Sequence, residues 1–197
     1  MNRDSIIFEQ RRYLTPKEKV RAEKIMELTW KINDYIDNKF KTEYTELYEH
    51  WHGNHCLQTA VMICGVLDEI KYLCPKIVYG IMEDRYEGQT VHYNHAYVYV
   101  QDTAYLPSAI NYAIDMARTD RKQLFAVGDL SLKEKCEDSL DCPGYENIKI
   151  LQEAHVNHKH CLMFEIEYFT QQPSFYLFRE IRNKFINEIN ELNKEEQ

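Results

Sequence analysis

The residues in this chain that could do chemistry are its histidines and cysteines. The eight histidines fall into three short segments: His50, His52 and His55; His92 and His95; His155, His158 and His160. Six cysteines stand at 56, 64, 74, 136, 142 and 161. Cys56 is the most informative of them. It follows His55 at the start of a run in which Leu57, Ala60, Val61, Ile63, Cys64, Leu67 and Ile70 leave little polar face, the pattern of a central buried helix, which Asn54 could cap. The first turn of a helix carries unsatisfied N–H groups and the positive end of the helix dipole, so a thiolate placed there is stabilised as a nucleophile. The same N–H groups can hold the oxyanion that forms when the thiolate attacks a carbonyl. Turnover also needs a base, and the base needs an orienting partner.

His95 is the expected base. It opens the strand-forming run His95-Ala96-Tyr97-Val98-Tyr99-Val100, about 40 residues after Cys56. Two residues compete to orient it. Asp102 lies seven positions further on, which a straight strand converts into roughly 20 Å, too far unless the strand breaks early. If the chain turns back at Asp102-Thr103, the return strand brings Ile110 or Asn111 opposite His95, and Asn111 is the first choice with Asp102 second. The Trp51 indole and His55 flank Cys56 and are expected to serve the oxyanion or the substrate.

Cys56, then Val78-Tyr79-Gly80, then His95-Ala96-Tyr97-Val98-Tyr99-Val100 resembles the transglutaminase-like branch of the papain-like cysteine protease superfamily. Members carry a Cys at a helix start, a Val-x-Gly strand, and then His-Ala-Trp-x-x-Val; Tyr97 stands in the place of the Trp. The resemblance covers about residues 50 to 112, roughly a third of the chain. It implies a central helix packed on an antiparallel sheet, and thiol-dependent acyl transfer on a protein or peptide amide, as a cysteine peptidase, amidase or transglutaminase-like enzyme. In papain-type enzymes an Asn orients the base. The transglutaminase-like branch prefers Asp, often written Trp-x-Pro-x-Asp, and there Tyr105-Leu106-Pro107-Ser108-Ala109 places Ala at the Asp position.

Other readings remain open beside this one. The departures from the family pattern would suit a lapsed enzyme that uses its groove as a protein-binding module. His50, His52, His55 and Cys56, with His155, His158, His160 and Cys161, could instead make a zinc-stabilised domain, although neither paired Cys-x2-4-Cys nor finger spacing occurs and Cys136-x5-Cys142 is loose. Buried packing is the ordinary role of a free Cys, which suits Cys64, Cys74 and Cys161.

The positioning elements follow from hydrophobic spacing. Thr15-Pro16-Lys17-Glu18 reads as a capping box opening a helix to about Lys39. Strands are expected over 76–82, 95–100, 104–106 and 161–170, a polar turn over 84–89, loop with one short helix over 118–144, and an amphipathic helix after Ser174. The sum is an α+β single domain over 1–197: an N-terminal helical segment (1–45), a helix-plus-sheet catalytic core (46–172) and a C-terminal helix (173–197).

With 44% hydrophobic and 28% charged residues, disorder is excluded. The net charge of −8 argues against a nucleic-acid groove. The Ile6-Ile7-Phe8 run is too short for a signal-peptide core, and no stretch nears the roughly 20 apolar residues that span a bilayer. A cytoplasmic protein with reduced thiols, no cofactor, no nucleic-acid or membrane partner and a protein or peptide substrate is the resulting expectation.

Overall fold

The computed structural model describes residues 6–50, 55–86, 89–107, 109–116, 123–130, 149–156 and 174–194. In chain order they form β1 (Ile7–Gln10), α1 (Pro16–Glu43), α2 (Thr45–His50), α3 (Cys56–Leu67), β2 (Leu73–Tyr86), β3 (Gln89–Asp102), β4 (Ile110–Asp115), β5 (Leu124–Gly128), β6 (Lys149–Val156), α4 (Ser174–Lys184) and α5 (Ile186–Lys194). The class is α+β. The six strands form one sheet in the order β1-β5-β4-β3-β2-β6. Every neighbouring pair is antiparallel except β1 and β5, so the sheet is mixed rather than the antiparallel one expected.

Helix α1 begins where its capping box demands. Thr15 Oγ1 accepts from the Glu18 N–H at 3.4 Å, and the Glu18 carboxylate accepts from the Thr15 N–H at 2.7 Å. Its apolar stripe of Ala22, Ile25, Leu28, Ile32, Ile36 and Phe40 is fully buried. That stripe packs on α3, which is itself buried at nearly every position from Cys56 to Leu67. Each buried Ile or Leu contributes about 1.5–3 kcal/mol by leaving water, so these two helices and the sheet anchor the core. Gly65 lets α4 approach closely: a Cβ there would meet the Phe178 ring at 2.8 Å. Leu177, Ile181, Phe185, Ile189 and Leu192 complete the layer from α4 and α5.

The region expected to be loop, 118–144, contains β5. Its sequence, Leu124-Phe125-Ala126-Val127, is buried at every position and so lacks the apolar/polar alternation that marks a half-exposed strand. The turn expected over 84–89 is also tighter, because β2 continues to Tyr86 and β3 begins at Gln89. A strand expected over 104–106 is a turn instead, and the return strand is β4. The strand expected over 161–170 lies outside the described residues. No helix among the described residues is long and apolar enough to cross a membrane.

Gly128 closes β5 at φ +142°, and a Cβ there would stand 2.9 Å from the Arg12 backbone nitrogen. Backbone strain and the clash act together, so Gly128→Ala is expected to destabilise the protein by about 2 kcal/mol, measured by urea denaturation.

Candidate active site

Three elements converge on one point. Cys56 is the first helical residue of α3, and His55 rather than Asn54 is its N-cap. His95 lies on β3, and Asp115 is the last residue of β4. The β3–β4 ladder runs from Val98 opposite Ile114 to Asp102 opposite Ile110. Extended by one position, it sets Asp115 across from Tyr97. Side chains alternate faces along a strand, so Asp115 shares a face with His95 and is its diagonal neighbour. The two side chains meet, with His95 Nε2 and Asp115 Oδ2 2.7 Å apart. Cys56 also acts on His95 through hydrogen bonding and charge, so the thiol and the carboxylate both bear on the ring.

The electrostatics follow from burial. His95 and Asp115 are 8% and 2% exposed, and Cys56 is 6% exposed. Burial alone would disfavour the charged ring. The Asp115 carboxylate and the hydrogen bonds to Asp115 and Cys56 outweigh it, lifting the His95 pKa from its ordinary 6.5 to about 10. At neutral pH His95 is therefore an imidazolium. Cys56 borders a narrow recess lined by Thr59, Ala96, Tyr97, Ile114 and Met116. His95 and Asp115 are themselves almost wholly shielded from solvent, which strengthens the charge interaction between them. Gly80, from the Val78-Tyr79-Gly80 segment, pairs with His95 across β2 and β3, so the position facing the base carries no side chain.

Neither residue expected to orient His95 does so. Asn111 sits opposite Gln101, and its Nδ2 donates to the Leu130 carbonyl at 2.6 Å. Asp102 is fully buried at the far end of β3. It accepts from Arg21 Nε at 2.8 Å, from the Tyr112 hydroxyl at 2.9 Å and from the Ala104 N–H at 3.1 Å. The physical reason is the connection: β3 ends at Asp102 and β4 starts only at Ile110, so residues 103–109 shift the register away from a turn at 102–103. Asp115 was the residue missed. A longer connection is its only sequence signal, since the register decides which carboxylate arrives beside the base.

The His55 side chain lies against α1. Its ring lies 5.5 Å from that of Phe40, centroid to centroid, and its Nε2 is 4.0 Å from Asp37 Oδ1. Trp51 and His52 lie outside the described residues, as do His158, His160, Cys136, Cys142 and Cys161. His50 is on α2, His92 on β3 and His155 on β6, opposite Val78. Among the described residues no group of three His, Cys, Asp or Glu side chains is placed to hold a metal ion.

In comparisons with known proteins, the chain matches no family model, no curated protein and no solved structure.

Proposed function

We propose that this protein is a thiol-dependent acyl-transfer enzyme of the papain-like, transglutaminase-like type, acting on a protein or peptide amide through Cys56, His95 and Asp115. The observation that carries this reading is the buried Asp115–His95–Cys56 relay at the start of α3. An Asp in the third place also agrees with the preference of the transglutaminase-like branch. The expected Asn111 is replaced by a residue four positions further along the same strand, two periods of the pleat.

Cys56 Sγ, reacting as the thiolate beside the His95 imidazolium, attacks the amide carbonyl carbon. The C–S bond forms as the carbonyl electrons move to oxygen, where first-turn N–H groups of α3 can receive the charge. His95 then donates its proton to the leaving amine, the C–N bond breaks, and a thioester remains on Cys56. Water, or an incoming amine, loses a proton to His95 as it attacks the thioester, which releases the acyl product and restores the thiolate and the imidazolium. Asp115 holds the ring and offsets its charge throughout. The scheme requires a reduced thiol, which suits the cytoplasm, and Cys56 is a free cysteine.

A thiol-reactive amide probe tests the assignment. Wild type is expected to label at Cys56 at least tenfold faster than at the exposed Cys74, and Cys56→Ala to lose the fast label. Labelling of Cys56→Ala as strong as that of wild type overturns the proposal.

A further inference from the structure

The residue before the nucleophile occupies the N-cap of α3, with φ −121° and ψ 31°, and makes no side-chain hydrogen bond to the helix. That is unusual chemistry for the position. Ser, Thr, Asn and Asp are favoured at N-caps because their side-chain oxygen takes a first-turn N–H. An imidazole is a poor substitute, and this one is held elsewhere. His55 is only 4% exposed, tilted against the Phe40 ring and facing the Asp37 carboxylate, which also receives the Lys41 ammonium at 2.6 Å. Meanwhile the His55 backbone carbonyl still accepts from Thr59 N at 3.0 Å, so the helix starts normally. The backbone does its capping share and the side chain is diverted to α1.

We infer that His55 is a positioning residue that anchors the first turn of α3 to α1 while leaving the N–H groups beside Cys56 uncapped for the oxyanion. This deepens the proposed acyl-transfer reading and rests on it. Two functions are combined in one side chain. The ring clamped by Phe40 and Asp37 sets the direction in which α3 presents Cys56 to His95. Its diversion keeps the donors that an ordinary N-cap would occupy. A capping side chain at 55 would satisfy the helix and compete with the transition state.

The inference separates from a merely structural role because capping residues favour the helix. His55→Ser and His55→Asn each introduce an N-cap acceptor, whereas His55→Phe keeps a ring against Phe40 and introduces none. Two reagents divide the chemistry. p-Nitrophenyl acetate acylates Cys56 through a tetrahedral oxyanion, releasing p-nitrophenolate as the thioester forms. Iodoacetamide alkylates the same thiolate by displacement of iodide, with no oxyanion. His55→Ser and His55→Asn also lose the Asp37 contact, so alkylation of Cys56 is expected to fall about threefold in each, while acylation falls at least tenfold further, toward the roughly hundredfold loss expected when an oxyanion donor is removed outright. His55→Phe is expected to lower both rates together, by about threefold, through loss of the Asp37 contact. If either capping variant is too unstable to purify, the other carries the test.

Acylation by the folded capping variants at the wild-type rate overturns the inference, as does a loss of acylation and alkylation in equal measure in His55→Ser and His55→Asn. Failure of the underlying reading shows separately: wild-type Cys56 would then react with p-nitrophenyl acetate no faster than Cys74.

Discussion

Asp115→Asn is expected to lower acyl turnover at Cys56 by about 10²–10⁴-fold, the range set by loss of an oriented, charge-matched base. The substitution preserves shape while removing the carboxylate that lies 2.7 Å from His95 Nε2. Its more specific signature is the pH profile. Leaving-amine protonation needs the imidazolium, so the alkaline limb in wild type follows the His95 pKa of about 10. Without Asp115 the opposing effect of burial is no longer outweighed, and the limb moves down in pH. A variant whose rate falls while its alkaline limb stays in place would assign the orienting role to another group.

The same ion pair links stability to pH. The folded-state pKa of His95 is raised, so its contribution is fully present below the unfolded value of 6.5 and is lost as pH rises through about 10. Wild type is therefore expected to lose on the order of a few kcal/mol across that window, and Asp115→Asn to lose distinctly less. Chemical denaturation at a series of pH values measures the difference.

The second large effect is expected at the other end of the same strand. Arg21 is fully buried on α1, and its guanidinium reaches four oxygens: both oxygens of Asp102, the Leu192 carbonyl of α5 at 3.2 Å and the Lys71 carbonyl at 3.1 Å. Asp102 in turn accepts from the Tyr112 hydroxyl, and burial, reinforced by the negative charge of Asp102, holds the Tyr112 phenol well above its ordinary range. This cluster ties α1, α5, β3 and β4 together. Asp102→Ala strands a charge where no water reaches it, and such breaks cost about 3–5 kcal/mol. For a chain of this length that lowers Tm by roughly 10 °C, as calorimetry would record.

Replacing both charges, as in Arg21→Met with Asp102→Leu, is expected to recover part of the loss, because the stranded charge is gone. The Tyr112 hydroxyl then lacks its acceptor, which limits the recovery. Below its lowered Tm, Asp102→Ala should keep Cys56 acylation within about threefold of wild type, since Asp102 stands away from the base. A loss as large as that of Asp115→Asn would return Asp102 to the catalytic group.

The two aspartates show how far local pattern reaches. Cys56 at a helix start and His95 on a strand were legible because each is announced by its own segment: an all-round apolar helix, and a run of β-formers. The capping box at Thr15 was legible for the same reason, since both partners lie within one turn. β5 was not, because a strand buried on both faces loses the alternation by which strands are recognised. The parallel pairing of β1 was not either, because four residues carry no sign of which partner they will choose.

The amino-acid sequence by itself determined the class, α+β, the principal helices, and the placing of Cys56 at a helix start and His95 on a strand. These depend on interactions a few residues apart. Only the tertiary structure decided which carboxylate orients His95 and where the His55 side chain goes. Both turn on distant contacts: a seven-residue connection that sets the β3–β4 register, and the packing of α1 against the start of α3. In a strand pair, a shift in register replaces every cross-strand neighbour at once. Here that shift sends Asp102 to Arg21, Asn111 to the Leu130 carbonyl, and Asp115 to the base.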